Sequence, residues 1–193
     1  MSILEKAFET IIHRHEILRT RLVTIDTTPR QVIEAPQPFI LTVSDWQDKS
    51  EAEIKSYIQA NHVNYVFDLS QDSLIKIQLL QTTAERYLLL VNIHHIISDG
   101  SSIGILLKEL TTLYNAYING QSNPLKPLRI QYKDYSAWQE ILLNEESYIG
   151  ELRQFWHQQL AGFQPVELLT DFPRPTIQQY EGDNCVYKFD NKA

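Results

Sequence analysis

Two adjacent histidines, His94 and His95, end an apolar run in the stretch "VNIHHIISDG", and an Asp-Gly pair follows them closely. A histidine with its ordinary pKa of about 6.5 accepts a proton near neutral pH without a large shift. The carboxylate of Asp99 can anchor the loop through an arginine. Gly100 permits a backbone angle or a close approach that a side chain would block. This combination is typical of a loop in which a histidine accepts a proton close to a backbone N–H group.

The elements on either side of this loop determine whether it can act. The run "RYLLLVNIHH" predicts a central, buried strand, in which neighbouring side chains face opposite sides, so only one histidine faces the site. An apolar stripe from Ile103 to Tyr117 predicts a helix. With Ser101 or Ser102 in its first turn, free N–H groups and the positive end of the helix dipole lie near the strand end.

An isolated histidine pair is more often structural, with a capping serine and a turn beside it. Here four specified residues stand between a predicted buried strand and a strong predicted helix, and this placement favours a functional site. Such a site would stabilise an oxyanion while a histidine handles a proton.

Helical and strand-like segments alternate along the rest of the chain. The opening residues Leu4, Phe8 and Ile11 have the spacing of one helix face. Strands are predicted from "LRTRLVTID", "RQVIEA" and "SLIKIQLLQ", with a turn through Thr27, Thr28 and Pro29 between the first two, and helices from "EAEIKSYIQANHVNYVF", "YKDYSAWQEILL" and "YIGELRQFWHQQL". These elements predict one compact α/β or α+β unit, a two-layer sandwich.

Composition narrows the class of protein further. The chain has 193 residues, 43% of them hydrophobic, and a net charge of −7 without a basic run, so nucleic acid is not an expected partner. No window has the roughly 18 apolar residues of a membrane span, and the N-terminus has no signal-peptide pattern. The single cysteine, Cys185, has no partner for an internal disulfide, and no cluster has metal-ligand spacing. We expect a cytoplasmic protein that binds no metal.

Several motifs together resemble the condensation domains of nonribosomal peptide synthetases, which are related to chloramphenicol acetyltransferase. "HHIISDG" resembles their HHxxxDG signature, "RHEILRT" their RHExLRT segment and "YKDYSAW" their YxDYxxW segment, in the same order. "FDLSQDSLIKIQLL" is similar to FDLxxGPLxR, with Asp72-Ser73 in place of Gly-Pro, and "FWHQQLAG" and "DFPRP" extend the resemblance over nearly the whole chain.

The resemblance implies a chloramphenicol acetyltransferase-like lobe with a mixed sheet covered by helices. It implies that donor and acceptor carrier proteins deliver 4′-phosphopantetheine arms to His95, which positions or deprotonates the acceptor amine. His94 would be structural, and the amide of Gly100 would lie near the oxyanion. Asp99 would be held by an arginine, with Arg19 as the first choice and Arg14 as the second.

The resemblance also implies how much of the family's domain is present. Residues 1–193 match its N-terminal lobe, shortened at both ends, with 171–193 beginning the linker toward a C-terminal lobe. Expected partners are carrier proteins, that second lobe and an adenylation domain, with no directly bound cofactor and no membrane. A single lobe should expose an apolar surface and be a very poor catalyst.

Other members of the family leave alternatives. Heterocyclisation is disfavoured because aspartate does not replace the histidine pair. Epimerisation is disfavoured because no tryptophan stands near Ile103. A non-catalytic docking lobe is the main alternative, and a trimeric acetyltransferase is a weaker one. We expect structural or solvent-facing roles for the four other histidines, His13, His15, His62 and His157. We expect a core or interface role for four residues of the YxDYxxW segment, Tyr132, Asp134, Tyr135 and Trp138. Cys185 is not expected to be a nucleophile.

Overall fold

The structure is a computed structural model, and it describes residues 2–180, 182 and 185–187. The chain divides into two compact units, Met1–Glu145 and Glu146–Ala193. The second unit contains one helix, α5 (Glu146–Gln159), and no further helix or strand among its described residues. The predicted linker 171–193 lies partly outside the described residues, so its role stays a prediction.

The first unit opens with helix α1 (Ile3–Arg14). The Ser2 side chain caps it by accepting a hydrogen bond from Glu5 N at 3.1 Å. Phe8 and Ile11 are fully buried, as their helical spacing predicts. A single 3₁₀ turn over Glu16–Arg19 then redirects the chain.

A hairpin follows, formed by the antiparallel strands β1 (Thr20–Ile25) and β2 (Thr28–Ile33). Its turn consists of Asp26 and Thr27, both with positive φ (48° and 65°), which matches the twist of tight hairpins. The predicted turn through Pro29 is therefore wrong. Pro29 lies inside β2, where an edge strand tolerates its missing N–H.

A mixed sheet contains strands β3 (Thr42–Asp45), β4 (Ile75–Gln81) and β5 (Tyr87–Ile93), with β4 in the middle. β4 pairs parallel with β3 and antiparallel with β5. The prediction that the second apolar run is the central, buried strand is wrong. β5 is an edge of the described sheet and exposes part of its apolar surface, because an apolar composition does not fix a strand's place in the order.

Between β3 and β4 the chain forms α2 (Glu51–Ile58), which continues as a π-helical turn over Gln59–Val63. After β5 come α3 (Gly100–Ile118) and α4 (Tyr132–Leu143). The predicted stripe places α3 correctly. The helix ends at Ile118, with Asn119 as its C-cap before Gly120, whose φ is +69°.

One hydrophobic core joins α1, α3 and β4, which confirms the two-layer arrangement of helices over a mixed sheet. Its fully buried large side chains are Phe8, Ile11, Leu74, Leu80 and Leu113. Within the part of the chain that the structure describes, no helix is both long and apolar enough to cross a membrane.

Candidate functional site

His94 holds the turn that follows β5. The strand ends at Ile93, so the histidine pair lies just beyond it, not inside it as predicted. His94 N donates to Leu74 O at 2.9 Å, and His94 Nδ1 accepts from Ile96 N at 3.0 Å. This acceptor role places the proton of the neutral ring on Nε2. The ring also packs edge-on against Phe67, with centroids 5.8 Å apart. These contacts support the structural role predicted for His94.

His95 has a different environment, as expected for the second of the pair. Its side chain is exposed and lines an open hollow of about 270 Å³. We call this the His95 hollow; its other lining residues are Ile17, Ile96, Ile97, Ser98, Asp99, Ser102 and Tyr132. The hollow therefore combines an apolar wall with an imidazole, a carboxylate and three hydroxyl groups, those of Ser98, Ser102 and Tyr132.

Asp99 is the N-cap of α3. Its Oδ1 accepts from Ser102 N at 2.7 Å and from Ser102 Oγ at 2.6 Å, while Asp99 N donates to Ser102 Oγ at 3.2 Å. The Ser102 hydroxyl, then backbone N–H groups and more weakly the charge of His95, hold the pKa of Asp99 below its ordinary value. Asp99 is therefore a carboxylate at neutral pH, close enough to His95 to interact with it.

The predicted arginine anchor of Asp99 is wrong for both candidates. Arg14 donates from Nε to Glu109 Oε1 at 3.0 Å and from Nη1 to Lys126 O at 2.5 Å. Arg19 donates to the backbone carbonyl of Glu34 and lies 3.7 Å from the Glu16 carboxylate. Asp99 takes its donors from the first turn of its own helix instead.

The sequence contains the signal for this cap. An Asp followed three residues later by Ser, directly before an apolar helical stripe, has the spacing of a capping box. The partner of Asp99 is therefore local, since Ser102 lies three residues away, and it is not a distant arginine.

Glu109 is a buried carboxylate that the sequence reasoning missed. It accepts from Arg14 Nε at 3.0 Å and from His15 Nε2 at 2.7 Å, and its side chain is 12% exposed. Both partners belong to the RHExLRT segment, so this cluster ties the end of α1 to α3. Glu109 lies three residues after Leu106 on the apolar stripe, a position at which a carboxylate requires partners.

Gly100 is the first residue of α3. It has no positive φ, and a Cβ added there would meet nothing within 4 Å, so the chain's own fold does not require glycine at this position. Among the described residues its N–H has no hydrogen-bond partner, as expected for the first position of a helix. Gly100 thus has open space around its Cα and a free N–H, and it directly follows the loop that carries His95.

The remaining predicted residues are placed as follows. His13, His15 and His62 have hydrogen-bond partners, namely Gln37 O, Glu109 and Gln78, while His157 and Cys185 are exposed. Of the core or interface role predicted for the YxDYxxW aromatic residues, the core role is excluded, because Tyr132, Tyr135 and Trp138 are 49%, 44% and 54% exposed, and the interface role stays a prediction. Over the ranges that the structure describes, no group of three or more His, Cys, Asp or Glu side chains could hold a metal ion.

We expect Ser102→Ala to destabilise the fold at about pH 7 and to have a smaller effect below about pH 4. The folded-state pKa of Asp99 is lowered from 3.8, so the stabilisation is present above that value and is lost as pH falls through the folded pKa. Thermal melting at both pH values measures it, with Ser101→Ala as the control. An equal loss for Ser102→Ala at both pH values would contradict this account.

Comparison with known proteins adds independent findings. The family model described as Condensation domain matches residues 1–193. Surfactin synthase subunit 1 of Bacillus subtilis (strain 168) is 40% identical over 189 residues, which cover 97% of this chain and 5% of that protein. The chain thus spans a small fraction of the curated relative.

Solved structures are also similar to this chain. The X-domain from teicoplanin biosynthesis has a TM-score of 0.77 and 29% identity, covering 91% of this chain and 39% of its own. The X-domain in its complex with OxyB gives a TM-score of 0.78. The epimerization domain from the third module of tyrocidine synthetase B gives a TM-score of 0.76 at 23% identity, over 89% of this chain and 39% of that domain's chain. This likeness is one of fold.

Proposed function

Because the chain belongs to the condensation-domain family, we propose that it contributes the His95 hollow to amide bond formation in nonribosomal peptide synthesis. The donor would be an acyl or peptidyl thioester and the acceptor an aminoacyl thioester, each on the phosphopantetheine arm of a carrier protein. The observation that carries the proposal is the exposed imidazole of His95 in a hollow beside the N-terminus of α3.

The reaction assigns a task to His95. The acceptor amine attacks the thioester carbonyl, a C–N bond forms, and the C–S bond breaks as the tetrahedral intermediate collapses. The amine must lose a proton, which His95 can accept and return to the departing thiolate, so the protons balance. His95 can also act by aligning the amine.

The start of α3 is the proposed oxyanion site. The Gly100 N–H is free among the described residues, and the positive end of the α3 dipole adds to its field. A donor at this position stabilises the negative oxygen that develops as the amine attacks. The absence of a side chain lets the thioester approach the amide closely.

We expect Gly100→Ala to preserve stability while reducing amide formation at least about tenfold. A Cβ at Gly100 meets no atom of this chain within 4 Å, so any loss must come from the space used by substrate. Gly104→Ala is the matched control, since Gly104 lies in the same helix and is also open. Equal activity of the two variants, measured as product formed per minute, would contradict the oxyanion assignment.

The proposal includes partners beyond this chain. The solved structures similar to it are longer, and this chain covers 39% of the X-domain chain. We propose that a second lobe closes the His95 hollow, that carrier proteins bring both substrates, and that an adenylation domain loads the acceptor. Phosphopantetheine is then part of the substrate, and the reaction takes place in the cytoplasm. Closure excludes water and holds both reactants.

The experiment is a two-carrier assay in which one carrier protein bears an acyl group and the other an aminoacyl group. We expect amide product when the chain is joined to a second lobe and little or none from residues 1–193 alone, because a single wall cannot exclude water. Absence of product from the two-lobe protein, with both carriers confirmed as loaded, would contradict the proposal.

A docking lobe without catalysis is the second candidate. The observation that favours it is the solved complex of the similar X-domain with OxyB. A docking lobe would bind its partner equally well with His95→Ala and would form no amide. Carrier binding measured by calorimetry, together with the two-carrier assay, separates the two functions.

A further inference from the structure

Tyr132 joins the His95 hollow from a distant part of the sequence. It is the first residue of α4, it is 49% exposed, and it lines the hollow together with His95 and Ile17. Its ring is one of three in an aromatic stripe on α4. The ring centroids of Tyr132 and Tyr135 are 5.9 Å apart, and those of Tyr135 and Trp138 are 5.7 Å apart. Only Tyr132 of these three lines the hollow.

The residue before Tyr132 ties the start of α4 to the segment that follows α1. Gln131 Oε1 accepts from Glu16 N at 3.1 Å, and Gln131 Nε2 donates to Arg14 O at 2.9 Å. One side-chain amide thus satisfies a backbone donor and a backbone acceptor of the RHExLRT segment. These bonds fix the distance between the two segments on one side of the hollow.

The residue after Tyr132 adds an ion pair to the same segment. Lys133 Nζ lies 2.6 Å from Glu16 Oε2, and the Glu16 side chain is 20% exposed. Asp134 closes the cap of α4 by accepting from Gln131 N at 2.9 Å. We call the contacts of Gln131 and Lys133 with the segment Arg14–Glu16 the inter-motif clip.

The inter-motif clip places two parts of the hollow wall at once. Ile17 directly follows Glu16, and Tyr132 lies between the two clip residues, so both are held by the same bonds. A tyrosine has few rotatable bonds, and one whose backbone is already fixed loses little entropy when a ligand packs on it. This part of the wall is therefore prepared before substrate arrives.

The wall is also chemically distinct from the reacting groups. Ile17, Ile96 and Ile97 provide apolar surface beside Tyr132, whereas the imidazole and the carboxylate of the hollow belong to His95 and Asp99. An apolar substituent next to the reacting carbonyl or amine suits the first surface. A charged substituent there would lose hydration without gaining a partner.

We propose that Tyr132 is a specificity-determining residue, packing against the apolar substituent adjacent to the reacting atom, and that the inter-motif clip positions it. This inference rests on the proposed amide-forming function. The substituent belongs to either the donor acyl group or the acceptor aminoacyl group. Both have the same chemistry, and separate substrate series distinguish them.

The test uses Tyr132→Ala, Tyr132→Phe and the control Tyr135→Ala in the two-lobe protein. Tyr135 is a suitable control because it lies on the same helix with similar exposure, 44%, but outside the hollow. kcat/KM is measured for glycyl and leucyl groups, first varied on the donor carrier and then on the acceptor carrier.

We expect Tyr132→Ala to shift the leucyl-to-glycyl ratio of kcat/KM at least about tenfold toward glycyl in one of the two series, because the leucyl side chain loses the aromatic surface on which it packs. Tyr132→Phe and Tyr135→Ala should keep the wild-type ratio. Lys133→Ala, which weakens the inter-motif clip, should shift the ratio in the same direction by a smaller factor, mainly through KM. Melting temperatures of all variants establish that the comparison is between folded proteins.

Two negative results have different meanings. If Tyr132→Ala gives the same ratios as Tyr135→Ala while His95→Ala abolishes product, the role of Tyr132 is overturned and the proposed function stands. If the two-lobe protein forms no amide from carriers that are both loaded, the proposed function fails, and the role of Tyr132 fails with it.

Discussion

His95→Ala is expected to reduce the rate of amide formation by about 10²–10⁴-fold in the two-lobe protein. The range is that of a positioned acid–base group, and the lower end applies if His95 mainly aligns the amine. Stability should not change, because the side chain is exposed and its neighbour His94 makes the bonds that hold the turn. Single-turnover assays with preloaded carriers measure the chemical step.

The control is His157→Ala, which removes another exposed histidine in a different unit of the chain. It should retain wild-type activity. If His95→Ala turned over at the wild-type rate with an unchanged melting curve, His95 would have no role in the reaction.

Glu109→Ala is expected to lower the free energy of unfolding by about 3 kcal/mol, the low end for breaking a buried ion pair. The low end applies because Arg14 and His15 keep 14% and 23% of their side-chain surface exposed. Removing Glu109 leaves both partly buried donors without their shared acceptor. Urea unfolding followed by circular dichroism measures this difference.

Glu140→Ala serves as the control, since it removes an exposed glutamate from α4 and should change stability by less than about 0.5 kcal/mol. Glu109→Gln should lie between the two, because an amide oxygen can still accept one of the bonds. A loss under about 1 kcal/mol for Glu109→Ala would show that the cluster does not hold α1 to α3.

Helices were the part of the fold that the sequence predicted best. The stripe from Ile103 to Tyr117 falls within α3, and the segment "YKDYSAWQEILL" coincides with α4. Periodicity marks both helices, and Gly120 also marks the end of α3. Strand order was not predictable in the same way. β5 was expected at the centre and β3, only four residues long, was not predicted, since pairing partners depend on contacts far away in the sequence.

The candidate site shows the same division between local and distant information. The different surroundings of His94 and His95 and a helix that begins shortly after them follow from neighbouring residues, whereas the end of β5 at Ile93 and the start of α3 at Gly100 were not predicted. The cap that Ser102 forms with Asp99 is local as well, because the two residues have the spacing of a capping box. Glu109 contacts Arg14 and His15, and Tyr132 lines the hollow beside His95, although these residues are far apart along the chain. Only the folded structure places them together.

Intact-protein mass spectrometry of the acceptor carrier protein, after incubation with the two-lobe protein and a loaded donor carrier, tests the central claim most directly. The account predicts that the acceptor gains the mass of the donor acyl group and the donor carrier loses it. An acceptor carrier of unchanged mass would contradict amide formation. The donor carrier would then show only hydrolysis of its thioester, or its loaded group would gain deuterium from heavy water.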